Sequence, residues 1–332
     1  MAGRTPARTA SKPRHITRPS FPDQWDLTHL VTDPVRRLDS LLAELETKVV
    51  QIEAARPRLS PSMPSHELLA LLTLSEAITQ GSSRLGAFAY LWFSESTKNS
   101  EARSFKTRVE ERLTALNNRL LFFELWWQSV DDANAARLMV DVGDLRYHLE
   151  TIRRFKPHTL SEPEEKIVNL KNVTGRSAVH TFYDVMTNGF TFTLSVGGKK
   201  MTMNREGLMA YVRSEKASVR QAAYQELYRV FSGQRDLLGE IYKTIVNDWK
   251  SENLGLRHFA SPIATRNLGN DVPDQAVDVL LSACAKNAYI FQTYFKLKAK
   301  ICKIAPMNRY HLYAPHRTEA KKYKYADAVT MV

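Results

Sequence analysis

Long apolar runs are missing from this sequence. No stretch of its 332 residues approaches 18 consecutive apolar residues, the length from which a membrane-spanning helix is recognised. The first 20 residues also lack the apolar segment of a secretory signal peptide. We therefore expect no membrane partner. With 332 residues, of which 43% are hydrophobic, the chain can form one large hydrophobic core or two smaller ones.

Cysteine is scarce, with only two residues in the chain. Cys284 and Cys302 fall within what the apolar periodicity predicts to be one helix, where about 27 Å would separate them along the axis. This distance excludes a disulfide between them. The pattern favours a reducing compartment, and we predict a cytoplasmic location.

Acidic residues are absent from residues 1–20, which instead hold five basic side chains and three prolines. This composition predicts a disordered basic tail. The whole chain carries a net charge of +12, which raises nucleic acid as a partner. The other basic residues are scattered, except for a cluster at Arg317, Lys321, Lys322 and Lys324. A solvated surface therefore explains the charge better, and a nucleic-acid partner is not expected.

Apolar residues recur at steps of three and four through most of the chain, which predicts helices. The clearest stripe consists of Phe105, Val109, Leu113, Leu116, Leu120, Phe123 and Trp127. Residues 190–203 differ, because apolar and polar residues alternate there around Gly197-Gly198, and this predicts a β-hairpin. The sequence predicts an all-α fold, an elongated multi-helix array with one small β-hairpin near residues 190–203.

The extents of four segments are also predicted. Residues 131–152 read as one helix, and a long helix covers residues 215–253 with a kink or stop at Ser232-Gly233. Residues 254–271 are interpreted as a loop region, and a further helix begins at Asp271 and Pro273 and continues through Leu297.

Six segments between Leu160 and Val329 carry a more specific pattern: LSEPEEKIVNLKNVTGRSA, RQAAYQELYRV, EIYKTIVNDWKSENLGLRHFASPIATRNLGNDVPDQAVDVLL, YFKLKAKICKI, RYHLYAP and KYKYADAV. They closely resemble the oligoendopeptidase F family, zinc metallopeptidases of the thimet-oligopeptidase kind. The resemblance covers the chain from about Trp25 to its last residue. A helical repeat protein shares the periodicity, but helix formation does not demand the polar residues at Arg266-Asn267 and Asn270-Asp271.

The zinc motif of that family does not occur in this sequence. In HExxH, two histidines on one helix face bind the metal, and the glutamate polarises the attacking water. The one His-Glu pair here is His66-Glu67, and Ala70 stands where the second histidine would be. No other histidine pair has zinc spacing, and no GxSxG nucleophile motif is present. The resemblance thus implies zinc in the intact family member, while we expect no metal and no catalytic residue in this chain.

The resemblance implies an oligopeptide-hydrolysing zinc metalloendopeptidase, of which we expect this chain to be an N-terminal portion that is inactive alone. Residues 1–20 would form the tail, 21–203 an N-terminal helical domain ending in the hairpin, and 204–332 the first part of the catalytic domain, cut before the zinc motif. An apolar strip along residues 237–297 would then be exposed and cause self-association. The alternative is a non-catalytic helical remnant that binds peptides or a protein without cutting them.

Two arginines are candidates for binding a peptide substrate. Arg257 and Arg266 lie in the predicted loop region, and a guanidinium can grip a peptide carboxylate with two hydrogen bonds. The competing interpretation is that they pair with nearby acids, namely Asp248, Glu252 or Asp271.

Overall fold

A computed structural model describes residues 25–315 and 323–332 of the chain. Its α-helices are α1 (Pro34–Ala55), α2 (Ser65–Glu95), α3 (Ser100–Ser129), α4 (Asp132–Leu138), α5 (Arg146–Arg154), α6 (Glu162–Asn172), α7 (Ala178–Asn188), α8 (Arg205–Tyr211), α9 (Ala217–Ser232), α10 (Arg235–Trp249), α11 (Pro262–Gly269), α12 (Asp274–Lys286), α13 (Ala288–Cys302) and α14 (Tyr325–Met331). Strands β1 (Phe192–Val196) and β2 (Lys199–Met203) form an antiparallel hairpin. The predicted all-α fold with one small hairpin is confirmed. The predicted tail, residues 1–20, lies outside the described residues.

The chain divides into two compact units, and α1 to α13 belong to the larger one, Leu27–Thr318. Helix α14 belongs to the other unit. Its first turn is capped by Asp327, whose carboxylate accepts a hydrogen bond from the Lys324 amide at 3.3 Å. No helix among the described residues is long and apolar enough to cross a membrane.

The larger hydrophobic core lies among α1, α2 and α3. The stripe predicted for α3 points into it, and Phe105, Val109 and Trp127 are almost completely buried. Gly81 on α2 faces Leu45 on α1, where an added Cβ would lie 2.7 Å from a methyl carbon of that leucine. The missing side chain at residue 81 therefore lets the two helices approach closely.

A second core joins the hairpin to the helices that follow it. Phe192 and Leu194 of β1 are buried against Leu208 of α8 and against α9. Gly197 and Gly198 both have positive φ, 58° and 79°, as the tight turn between the strands requires. This core contains residues from before and after residue 204, so the packing continues across the predicted domain boundary. The division into domains at residue 204 stays a prediction.

Two of the predicted helices are each broken in two. The segment 131–152 forms α4 and α5. Gly143 lies between them with a φ of 55°, a left-handed conformation that interrupts a right-handed helix. The helix predicted to continue through Leu297 is interrupted at Asn287, the residue that follows α12. The Asn287 side-chain amide donates a hydrogen bond to the Ala283 carbonyl at 2.8 Å and so caps α12. Cys284 and Cys302 consequently lie on different helices, and both are free thiols.

The region interpreted as a loop contains a helix. Ser261 accepts a hydrogen bond from the Ala264 amide at 3.2 Å, and Pro262 occupies the first helical position of α11. The kink or stop at Ser232-Gly233 is confirmed, because α9 ends at Ser232 and α10 begins at Arg235.

Helices α12 and α13 bury almost nothing. No residue of α12 is buried, and in α13 only Lys298 is. Each of seven apolar residues on these helices is more than half exposed: Val279, Leu280, Leu281, Tyr289, Ile290, Phe291 and Leu297. The expected exposed apolar strip is present on these two helices.

Candidate functional site

Helix α6 begins with the capping box that its sequence predicts. The Ser161 side chain caps the helix, and Glu164 accepts a hydrogen bond from the Ser161 amide at 2.9 Å. The next residue, Glu165, accepts from the Leu160 amide at 2.9 Å and is buried. The cap therefore fixes the position of a buried carboxylate.

Helix α10 ends in a π-helical turn, Lys250–Leu256, which places Arg257 against Glu165. The Arg257 guanidinium donates to both oxygens of Glu165, at 2.7 and 2.9 Å. Its Nε also donates to Glu252 at 3.0 Å. This bidentate pair joins segments that lie 92 residues apart in the sequence.

The ion pair changes the acidity of both partners. Burial alone would raise the pKa of Glu165, but the hydrogen bonds from Arg257 and from the Leu160 amide outweigh it, and the pKa falls below its usual value. The hydrogen bond to Glu165 raises the pKa of Arg257, although burial opposes this shift. Both groups therefore remain charged at neutral pH.

A stacked ring pair lies beside the arginine. The imidazole of His158 lies over the Phe259 ring, with the centroids 3.6 Å apart and the planes at 14°. Its Nδ1 lies 2.8 Å from the Arg257 carbonyl oxygen. Because a carbonyl only accepts, Nδ1 carries the proton in this contact. His158 is thus held by the backbone of Arg257.

Two cavities adjoin this cluster and share part of their wall, Leu121 and Glu124 of α3. The first cavity, about 400 Å³, lies between α2, α3 and α5 and is lined mainly by apolar side chains. The second, about 270 Å³, is lined by Glu165, Arg257 and Phe259 among others. Glu124 is thus the carboxylate that faces both cavities.

The two predicted arginines have different surroundings. Arg257 belongs to the cluster, where Glu252 is one of the acids expected to pair with it and Glu165 is an additional partner. Arg266 is exposed on the last turn of α11, with no side-chain hydrogen bond or ion pair to a described residue. Asp271 instead accepts hydrogen bonds from Tyr147 and Arg154 of α5. A role for either arginine in substrate binding stays a prediction.

The sequence analysis missed Glu165 and Glu124. Glu165 directly follows the capping box, a pattern that explains Glu164 but gives no reason to single out its neighbour. Glu124 was detectable, because it is a lone acid within the aromatic run Phe122-Phe123-Glu124-Leu125-Trp126-Trp127.

The zinc implied by the resemblance requires a group of ligand side chains, and the structure describes the side chains of residues 25–315 and 323–332. Within these ranges, no three His, Cys, Asp or Glu residues come together so that they could hold a metal ion. His66 lies in the first turn of α2, and Leu69 and Ala70 follow it on the helix. The described residues therefore do not fit a zinc site.

Comparison with known proteins gives a consistent result. A family model described as Oligopeptidase F matches residues 126–192. The plasmid oligoendopeptidase F of Lactococcus lactis subsp. cremoris is 22% identical over 318 residues, which cover 92% of this chain and 51% of the relative. The group B oligopeptidase PepB of Streptococcus agalactiae is 20% identical over 315 residues, with the same coverage of both chains. The chain is thus similar to oligoendopeptidase F proteins over almost its whole length.

The fold is similar to that of a solved structure. The crystal structure of oligoendopeptidase-F from Enterococcus faecium matches with a TM-score of 0.74 at 18% identity, over 85% of this chain and 56% of that one. The chain spans about half the length of the curated relatives that it matches. Glu165 lies within the segment matched by the family model, whereas Glu124 precedes it and Arg257 follows it.

Proposed function

We propose that this chain is an N-terminal portion of an oligopeptide-hydrolysing zinc metalloendopeptidase and that its 332 residues do not hydrolyse peptides by themselves. In this proposal, residues 21–203 form a helical domain and residues from 204 onward begin the catalytic domain. Together they supply one wall of the peptide channel. The zinc and its catalytic glutamate would come from residues that this sequence does not contain.

One observation carries the proposal. The similarity to Lactococcus oligoendopeptidase F extends over 92% of this chain and about half of the relative. The motif needed for a zinc peptidase, HExxH, does not occur in the printed sequence. The residues present therefore support no chemical step through zinc.

A turnover assay tests this proposal. The purified chain is incubated with a quenched fluorescent oligopeptide, with and without zinc and with a chelator. We expect no cleavage above a blank in any condition. Cleavage that zinc stimulates, that a chelator stops and that His66→Ala abolishes would contradict the proposal, because it would place a working metal site within this sequence.

The alternative is a non-catalytic helical remnant that binds peptides or a protein, and the lack of a fitting ligand cluster among the described residues agrees equally with both proposals. Both functions predict peptide binding without cleavage by the chain alone. They differ when the HExxH-bearing part of a family member is added as a separate polypeptide. Restored cleavage supports the enzyme portion, whereas unchanged peptide binding with no cleavage supports a binding protein.

We also propose a cytoplasmic location, which the two free cysteines support. Cell fractionation with an antibody to the chain tests this location directly.

A further inference from the structure

We propose that the two cavities sharing Glu124 form a binding site for an amphipathic primary amine. The ammonium group pairs with the Glu124 carboxylate, and the apolar body of the ligand fills the cavity between α2, α3 and α5. This site goes beyond the proposed peptidase function and does not depend on it.

Glu124 is a carboxylate without a partner. It forms no hydrogen bond or ion pair with a described residue, whereas Glu165 nearby holds Arg257 at 2.7 Å. Its side chain stays accessible through the cavities that it lines. Glu124 as a whole is exposed, while protein atoms surround part of its carboxyl group, so water hydrates the charge in the absence of a ligand. An ammonium group from a ligand would supply a cation there.

The first cavity suits the apolar part of such a ligand. Its wall includes Leu72 and Ile78 of α2, Trp127 of α3 and Leu149 of α5. Glu124 is the one acidic residue in this lining. Its volume, about 400 Å³, falls in the range of small-molecule sites.

The wall of this cavity is held in place by hydrogen bonds. The Trp127 indole donates to the Leu149 carbonyl at 2.9 Å, and Gln128 donates to the Ile152 carbonyl at 3.2 Å. Arg153 donates to the carbonyls of Trp127 and Val130 at 3.0 and 2.7 Å. These contacts fix α5 against α3, so the cavity exists before a ligand enters.

The second cavity offers an acceptor and no free cation. The Thr265 hydroxyl on α11 is buried without a hydrogen-bond partner among the described residues, although it belongs to the cavity lining. Buried polar atoms in proteins nearly always have a partner, so an unpaired hydroxyl at a cavity indicates room for a ligand or water. Arg257, which also lines this cavity, is already neutralised by Glu165 and Glu252. An anionic ligand would therefore find no free positive charge at these residues.

The pKa of Glu124 is raised, as expected for a carboxyl group that has no cation beside it. Burial raises the pKa of Glu124, Glu165 raises it further, and His148 on the opposite wall lowers it. The other titratable or charged groups lining the cavities are His158 and Arg257. Because the bound amine takes the position of the proton on Glu124, amine affinity should fall as the pH decreases through this raised pKa.

The experiment measures binding of 4-phenylbutylamine to the full 332-residue chain by calorimetry and by Trp fluorescence. The neutral 4-phenylbutanol and the anionic 4-phenylbutanoate serve as matched ligands. We expect the amine to bind more tightly than the alcohol and the anion most weakly. Glu124→Gln should weaken amine binding about tenfold or more, the loss expected when an ion pair worth roughly 1.4 kcal/mol is removed. Alcohol binding should be unchanged.

Glu111→Gln is the control, because Glu111 is an exposed acid on the same helix and lines neither cavity. It should leave amine binding as in the wild type. The proposal is overturned if the wild type binds no amine, if the anion binds as tightly as the amine, or if the two Gln variants lose affinity equally.

A second measurement does not require a variant at Glu124. In the wild-type chain and in His148→Gln, amine affinity should fall toward acid pH while alcohol affinity stays constant. A pH dependence that disappears in His148→Gln would assign the effect to the imidazole and would overturn the role of Glu124.

Discussion

Helices α3 and α13 have similar sequence patterns and opposite surroundings. Both carry apolar residues at steps of three and four, yet α3 buries ten residues, whereas α13 buries only Lys298. The ammonium group of Lys298 donates to the Leu312 carbonyl at 2.6 Å, so even this buried position is a polar anchor. An amphipathic pattern thus predicts a helix, while its burial depends on whether another element covers the apolar face.

The largest expected effect lies in the core around α3. Phe105 is completely buried, and Phe105→Ala should lower the free energy of unfolding by about 3–5 kcal/mol through lost burial and a cavity. Phe291 on α13 is 62% exposed, and Phe291→Ala should change it by less than about 0.5 kcal/mol. Urea denaturation measures both.

If Phe105→Ala does not fold, Phe105→Leu gives a smaller loss that can be measured. Equal losses at positions 105 and 291 would contradict the comparison, because they would mean that α13 is packed as tightly as α3.

The second effect concerns the ion pair that joins the regions around α6 and α10. Arg257→Met leaves Glu165 buried without its cation, and we expect a loss of about 2–3 kcal/mol, below the range for fully buried pairs because both side chains retain some exposure. Arg266→Met removes an exposed arginine that has no side-chain partner among the described residues, and it should cost less than about 0.5 kcal/mol. Similar losses in both variants would refute the structural role of Arg257.

The pH dependence sharpens this prediction. The folded-state pKa of Glu165 is lowered, so its stabilising contribution is present above the unfolded pKa and is lost as the pH falls through the folded value. The wild type should therefore lose stability in this acid range more steeply than Glu165→Gln. Parallel curves for the two proteins would show that Glu165 contributes no such linkage.

The sequence predicts the features that depend on neighbouring residues and misses those that depend on contacts between distant segments. The stripe on α3 and the glycine turn of the hairpin are both set by residues close in sequence, and both were predicted. The pair of Arg257 with Glu165 was not, because its partners are 92 residues apart and their encounter depends on how α6 and α10 pack. The same holds for the cavities, whose walls come from several helices.

The third effect concerns association rather than stability. Phe291→Lys places a charge in the exposed apolar strip, and Gln292→Lys adds the same charge at the neighbouring exposed position. We expect self-association of the wild type, measured by sedimentation velocity, to weaken in Phe291→Lys much more than in Gln292→Lys. A wild type that stays monomeric at all concentrations would contradict the predicted self-association.

The smallest expected effect is a gain in stability at Glu124. Its folded-state pKa is raised, chiefly by burial, so the folded state loses stability as the pH rises through that value. Glu124→Gln removes this loss and should melt at a higher temperature than the wild type at neutral pH. The gain should disappear below the pKa of an unfolded glutamate, where both states hold the proton. Glu111→Gln, an exposed change on the same helix, should show no such gain, and an equal gain in both variants would mean that net charge rather than the surroundings of Glu124 sets the effect.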